Sequence, residues 1–170
     1  LEFSRIKSEY QVEKKHIEYC WKNMGIQLGV DKGVVLNARP SKHSTDGVSY
    51  LDKNKMLWLA CKDQSEEQWT MIYEKIVNYE PKYIRGYGSL VSAFFKQLSK
   101  QNMPMPSSIE AVAYSSDPIL QPELDFISQN YCENIISLYG QTERVTMGVT
   151  CRSGNKFHLL PTYGFTEIIR

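Results

Sequence analysis

Between residues 4 and 25 apolar side chains fall at Ile6, Tyr10, Ile17, Cys20, Trp21 and Met24, with Lys and Glu filling the opposite side. This is helical spacing, and it predicts one long amphipathic helix closed by Gly25 and Gly29. Residues 33–38 follow as a short apolar strand. Residues 39–55, rich in Ser, Lys, Asp and Gly and holding His43, have no periodicity and predict an exposed excursion. Residues 56–61 form a second strand candidate. Ser65 followed by Gln68 is a capping box for a helix whose buried stripe is Trp69, Ile72, Tyr73 and Ile76, stopped by Pro81. A strand at 83–87 leads to a helix capped by Ser89, with Leu90, Val91, Phe94, Phe95 and Leu98 on its apolar side.

Met103-Pro104-Met105-Pro106 interrupts the pattern before a strand at 109–114. Pro122 suits a first helical position, and Leu124, Ile127 and Tyr131 give the inward stripe of a short helix. The next apolar run, Ile135-Ile136-Ser137-Leu138, stops at Tyr139-Gly140 and opens into a loop. Helical signals then vanish: 145–150, 156–160 and 166–169 predict strands, with a turn at Gly154-Asn155. Strand and helix alternate up to this point, which predicts an α/β fold, a mainly parallel sheet flanked by helices, followed by a β-rich carboxyl-terminal segment. The division is 1–144 for the α/β unit, read as a partial nucleotide-binding subdomain, and 145–170 for the β-rich segment.

Two polar loops follow strands and would emerge on one edge of a parallel sheet, where ligands bind beyond the strand tips. One is Ser115-Ser116-Asp117-Pro118; the other is Tyr139-Gly140-Gln141-Thr142-Glu143. Tyr139 offers a flat face to a base, Thr142 a hydroxyl to a phosphate oxygen, and Glu143 a carboxylate to a hard cation. Together they suggest a nucleotide site. Ser-Ser-Asp-Pro is also an ordinary turn and cap.

Tyr139-Gly140-Gln141-Thr142-Glu143 resembles the Tyr-Gly-x-Thr-Glu motif of the adenylate-forming enzymes. With Tyr87-Gly88-Ser89, Tyr114 to Pro118, Cys151, His158 and Tyr163-Gly164-Phe165-Thr166-Glu167 in the same order, the chain is similar to the phenylacetate-CoA ligase branch, which includes coenzyme F390 synthetases and capsule-locus proteins. The resemblance implies a Rossmann-like subdomain of the large amino-terminal domain of such an enzyme. It implies that ATP and a carboxylic acid give acyl-AMP, which passes to coenzyme A or another thiol. Under it Ser115, Ser116, Asp117 and Pro118 wrap the adenine, and Tyr139, with Gly140 and Gln141, lies against it. Thr142 holds the α-phosphate and Glu143 the Mg²⁺. The turn at Tyr87 borders the acyl pocket. Cys151 and His158 would be half of a Zn²⁺ site. The resemblance also leads us to expect the phosphate loop before Leu1 and the ribose carboxylate, a catalytic Lys and a Cys-x-Cys pair after Arg170, so that these 170 residues alone would be inactive.

Composition changes this picture little. A balance of 20 basic and 19 acidic residues gives no field favouring nucleic acid or an anionic membrane surface. No apolar run is long enough to span a bilayer. Cys20, Cys61, Cys132 and Cys151 are widely spaced among apolar neighbours, which is no disulfide framework and fits a cytoplasmic setting. The expected partners are thus a small carboxylic acid, ATP and a thiol, with a homodimer as the expected self-association. From other classes, the same residues would suit a non-catalytic nucleotide-binding or assembly module of a polysaccharide locus, or a ligase relative that passes its acyl group to a protein or amine.

Overall fold

The structure is a computed structural model, and it describes residues 7–44, 46–141, 145–151, 154–164 and 166–167. Helix α1 (Lys7–Asn23) precedes β1 (Gly33–Asn37), β2 (Ser49–Leu51), β3 (Met56–Ala60), α2 (Glu66–Tyr79), β4 (Tyr83–Tyr87) and α3 (Gly88–Lys100). Then come β5 (Ala111–Ser115), α4 (Gln121–Asn130), β6 (Ile135–Gly140), β7 (Met147–Cys151) and β8 (Gly154–Leu159).

All eight strands join one sheet in the order β2-β3-β1-β4-β5-β6-β7-β8. The inner five, β3-β1-β4-β5-β6, are parallel; β2 pairs antiparallel with β3 at one edge, and at the other β7 pairs antiparallel with β6 and β8 antiparallel with β7. Numbered along the chain, the parallel strands lie in the order second, first, third, fourth, fifth. That doubly wound arrangement reverses direction between β1 and β4, and ligands bind beyond the strand tips near such a reversal.

The two faces are covered unequally. On one, α2, α3 and α4 pack Trp69, Ile72, Ile76, Phe94, Phe95 and Ile127 onto Leu36, Ile84 and Val112 of the sheet. Fully burying a side chain such as Phe95 contributes roughly 2–3 kcal/mol. On the other face α1 is the one covering helix among the described residues; it supplies Trp21 and the turn after it Met24 and Ile26, and Trp58, Leu138 and Val149 stay half-buried. The Asn134 amide fastens this helix by donating to the Met24 carbonyl, while it also donates to that of Glu110.

Most expected elements form within a residue or two of their predicted ends, and the reasons are local. Ser65 and Gln68 make the reciprocal capping box of α2, which ends at Glu80 in a left-handed conformation just before Pro81. Four expectations need correction. The excursion at 39–55 contains β2, which pairs with β3. Ser89 does not cap α3: the N-cap is Tyr87, without a side-chain bond, and the Ser89 N–H instead donates to Asp117 Oδ2 at 3.0 Å. Gly154 and Asn155 are not a turn but the start of β8, with Gly154 paired to Cys151. Residues 166 and 167 are not in a strand, although the Thr166 hydroxyl bonds that of Thr146 at 2.8 Å; 168–169 lie outside the described residues.

Candidate functional site

Strand alternation decides which way each site residue faces. On β5, Val112 and Tyr114 belong to the helix-rich face, whereas Ala111 and Ala113 belong to the α1 face. The chain leaves the sheet after Ser115, the last residue of β5, and Ser116 takes φ +75°. A non-glycine residue there bears a cost, and such outliers collect where the surroundings demand a particular backbone path. The next residue, Asp117, ties the loop to α3 through the Ser89 N–H, while its Oδ1 is buried without a hydrogen-bond partner. Gly88 completes the join, because a Cβ at that position would collide with the Asp117 carbonyl oxygen.

A groove of about 790 Å³ opens on the helix-rich face beside this loop. Ser116, Asp117 and Pro118 form one lip, and Tyr139 and Gly140 at the end of β6 form the other. Gln121, Asp125 and Ser128 of α4 make a polar wall, and Phe157 of β8 closes the far side, its ring 5.7 Å from that of Tyr139. Tyr139 is 41% exposed, so its ring is open to a planar ligand. Gln141 lies outside the groove but donates through Nε2 to the Tyr139 hydroxyl at 3.0 Å. The floor is Tyr114, Ser137 and Thr150, with the Ser137 N–H bonded to Thr150 Oγ1 at 2.7 Å. Burial pushes the Tyr114 phenol above its ordinary value, partly offset by its hydrogen bond with the Ser137 side chain.

Residues 116–118 of the first expected loop thus face Tyr139 and Gly140, where the second begins, with one redistribution. Ser115 does not line the groove; it lines a smaller cavity of about 220 Å³ on the α1 face, with Asn37, Arg85, Tyr87, Trp21 and Trp58. Ser116, Tyr114 and Leu138 border both spaces, so they meet at the end of β5 and β6. Thr142 and Glu143 lie outside the described residues. Arg85, Asn37 and Trp58 were not anticipated as site residues. A lone Arg within the apolar strand 83–87 was the available signal.

The two residues expected of a metal half-site lie on the paired strands β7 and β8. His158 is exposed on β8 and pairs with Val149, two residues before Cys151, whose side chain lies outside the described residues. Among the described residues no three His, Cys, Asp or Glu side chains gather to hold an ion. His158 also lines a third cavity, about 460 Å³, between α1 and the β6–β8 end of the sheet. Three cysteines behave as packing groups: Cys20, Cys61 and Cys132 are buried, and burial pushes the Cys61 thiol up to about 12, which keeps it neutral. No helix among the described residues is long and apolar enough to cross a membrane.

No protein-family model matches the sequence, and no curated protein sequence matches it. Solved structures do. The chain superimposes on 2-hydroxyisobutyryl-CoA ligase, in an open conformation with 2-HIB-AMP and coenzyme A, at a TM-score of 0.56 and 12% identity over 84% of this chain. The same ligase in its postadenylation state gives the same TM-score and identity. MatB from Rhodopseudomonas palustris follows at 0.51 and 13% identity over 87% of the chain. The match spans 32% of the first ligase and 28% of MatB. At such identities the likeness is one of fold. The chain has a mainly parallel, helix-flanked α/β fold like that of about a third of 2-hydroxyisobutyryl-CoA ligase.

Proposed function

We propose that this chain is the nucleotide- and acid-binding segment of an AMP-forming acid:thiol ligase of the phenylacetate-CoA ligase type. The observation that carries the reading is the groove in which Ser116, Asp117 and Pro118 face an open Tyr139 ring across adjacent parallel strands. Its support is the fold held in common with a ligase bound to 2-HIB-AMP and coenzyme A. The base lies between the 116–118 loop and the Tyr139 ring, with Gln141 steadying the phenol. Thr142 donates its hydroxyl to the α-phosphate. Glu143 holds Mg²⁺, which neutralises phosphate charge when bound.

The acid, an aryl acid such as phenylacetate, enters by the cavity at Tyr87 and meets the nucleotide at Ser116. Its carboxylate oxygen forms a bond to the α-phosphorus as the bond to the bridging oxygen breaks, releasing pyrophosphate. A thiol, that of coenzyme A, then attacks the acyl carbon and AMP leaves. For such a transfer the protein contributes chiefly placement and charge neutralisation.

The test is an NMR titration of the protein with AMP and Mg²⁺. Amide shifts should concentrate at Ser116, Asp117 and residues 139–141. Tyr139→Ala should weaken AMP by roughly 1–3 kcal/mol, about fivefold to 150-fold, through loss of the stacking face. Tyr139→Phe should bind nearly as the parent does. Shifts confined to other regions, or unchanged affinity in Tyr139→Ala, would sink the proposal.

A further inference from the structure

Among the described residues, Arg85 is the one charged side chain that the cavity on the α1 face presents. It sits on β4, the strand flanking the point where the sheet reverses direction, two residues before the strand's end. Its guanidinium lies over the Trp58 ring, 5.8 Å from the centroid. Among the described residues it has no hydrogen bond and no ion pair, although a guanidinium carries five donors in a fork matched to a carboxylate. The nearby acid, Asp52, is committed elsewhere. Its carboxylate accepts from the Trp58 indole N–H at 3.1 Å and from the Asn54 and Met56 N–H groups, and it feels Arg85 only as a field. A half-buried fork of donors at a ligand-binding edge, walled by Trp21, Trp58 and Tyr87, is built for an anion on a flat body.

Position says which anion. The two cavities meet at Ser116, beside β6, where an acid's reacting carboxylate would join the nucleotide. β4 is two strands from β6, roughly 10 Å, and Arg85 reaches away from it toward Trp58, two strands further on. The guanidinium is therefore out of reach of the reacting group.

We infer that Arg85 selects a carboxylic acid bearing a second carboxylate at the far end of an aromatic body. This rests on the acid-activating reading above and narrows its substrate class. Trp21, Trp58 and Tyr87 hold the ring, and Arg85 takes the distal carboxylate in a bidentate bond.

The experiment needs no turnover. The protein is titrated calorimetrically, without nucleotide, with 4-carboxyphenylacetate, its neutral isostere 4-carbamoylphenylacetate, and phenylacetate. The diacid should bind at least about tenfold tighter than the amide. In Arg85→Gln that ratio should fall to about one while the amide binds as before, and Arg85→Lys should keep only part of the preference. Equal binding of diacid and amide by the unaltered protein overturns the inference and needs no variant. So does a preference that survives in Arg85→Gln, a matching loss of amide binding in it, or no binding of all three acids. Titrating AMP into the same samples separates the two proposals. AMP binding at Tyr139 without diacid preference removes this inference alone; diacid preference without AMP binding removes the adenylating reading and leaves an anion site at Arg85.

Discussion

Asp117 serves two structures at once. Its Oδ2 accepts the Ser89 N–H, one of the four donors that the start of α3 cannot satisfy internally, so it does from another loop what an N-cap side chain does locally. Asp117→Ala should lower stability by about 1 kcal/mol, and Asp117→Asn, which keeps an acceptor oxygen, by clearly less. The midpoint of urea unfolding measures both. Its neighbour Ser116 carries the opposite sign. At φ +75° a Cβ is a burden, so Ser116→Gly should raise stability by up to about 1 kcal/mol, part of the gain being returned through a more flexible unfolded chain. The same denaturation series decides it, and a less stable Ser116→Gly would mean that the serine hydroxyl outweighs the backbone cost.

At the scale of elements, β2 shows how an edge is held without a core. Asp46 collects the Val48 and Ser49 N–H groups, the Ser49 hydroxyl and the Lys75 ammonium from α2. Burial alone would raise the Asp46 carboxyl; the bonds from Ser49, Lys75 and Val48 outweigh it and hold the group far below the ordinary carboxylate range. A carboxyl depressed in the folded state stabilises above its unfolded pKa, near 3.9, and that contribution fades as pH falls below it. Thermal melts of the parent and of Asp46→Asn should therefore differ at pH 7 and converge as the pH drops below about 4. The Lys75 ion pair is partly exposed, so the backbone bonds rather than the pair should carry most of the difference. Parallel curves at all pH values would show that Asp46 does not hold the edge.

Across the whole molecule, burial is graded from the centre of the sheet outward. Val34, Leu36, Ile84 and Val112 on β1, β4 and β5 are fully buried beneath three helices, whereas β2 and β8 are edges with exposed side chains. Hydrogen exchange should follow that gradient, with the amides of β1, β4 and β5 protected most and those of β2 and β8 least. Equal protection of β8 and β4 would contradict it.

What the chain order determined by itself was everything resting on neighbours three or four residues apart or on alternation along a strand. The stripe of α3, the box between Ser65 and Gln68 and the strands at 33–37 and 83–87 are legible because their energetics are local. Two loops following two parallel strands were legible as one edge for the same reason. The tertiary structure decided what depends on partners distant in sequence. Residues 49–51 form a strand because β3 is there to pair with them, which no local periodicity records. α3 starts on Asp117 rather than Ser89 because the 116–118 loop packs against it. Ser115 and Ser116, adjacent in the chain, differ in what they line, Ser115 the α1-face cavity and Ser116 both spaces, because the chain leaves the sheet edge between its two faces. Arg85 matters only once folding sets it over Trp58 on a face that a single helix covers, where its donors find no partner among the described residues.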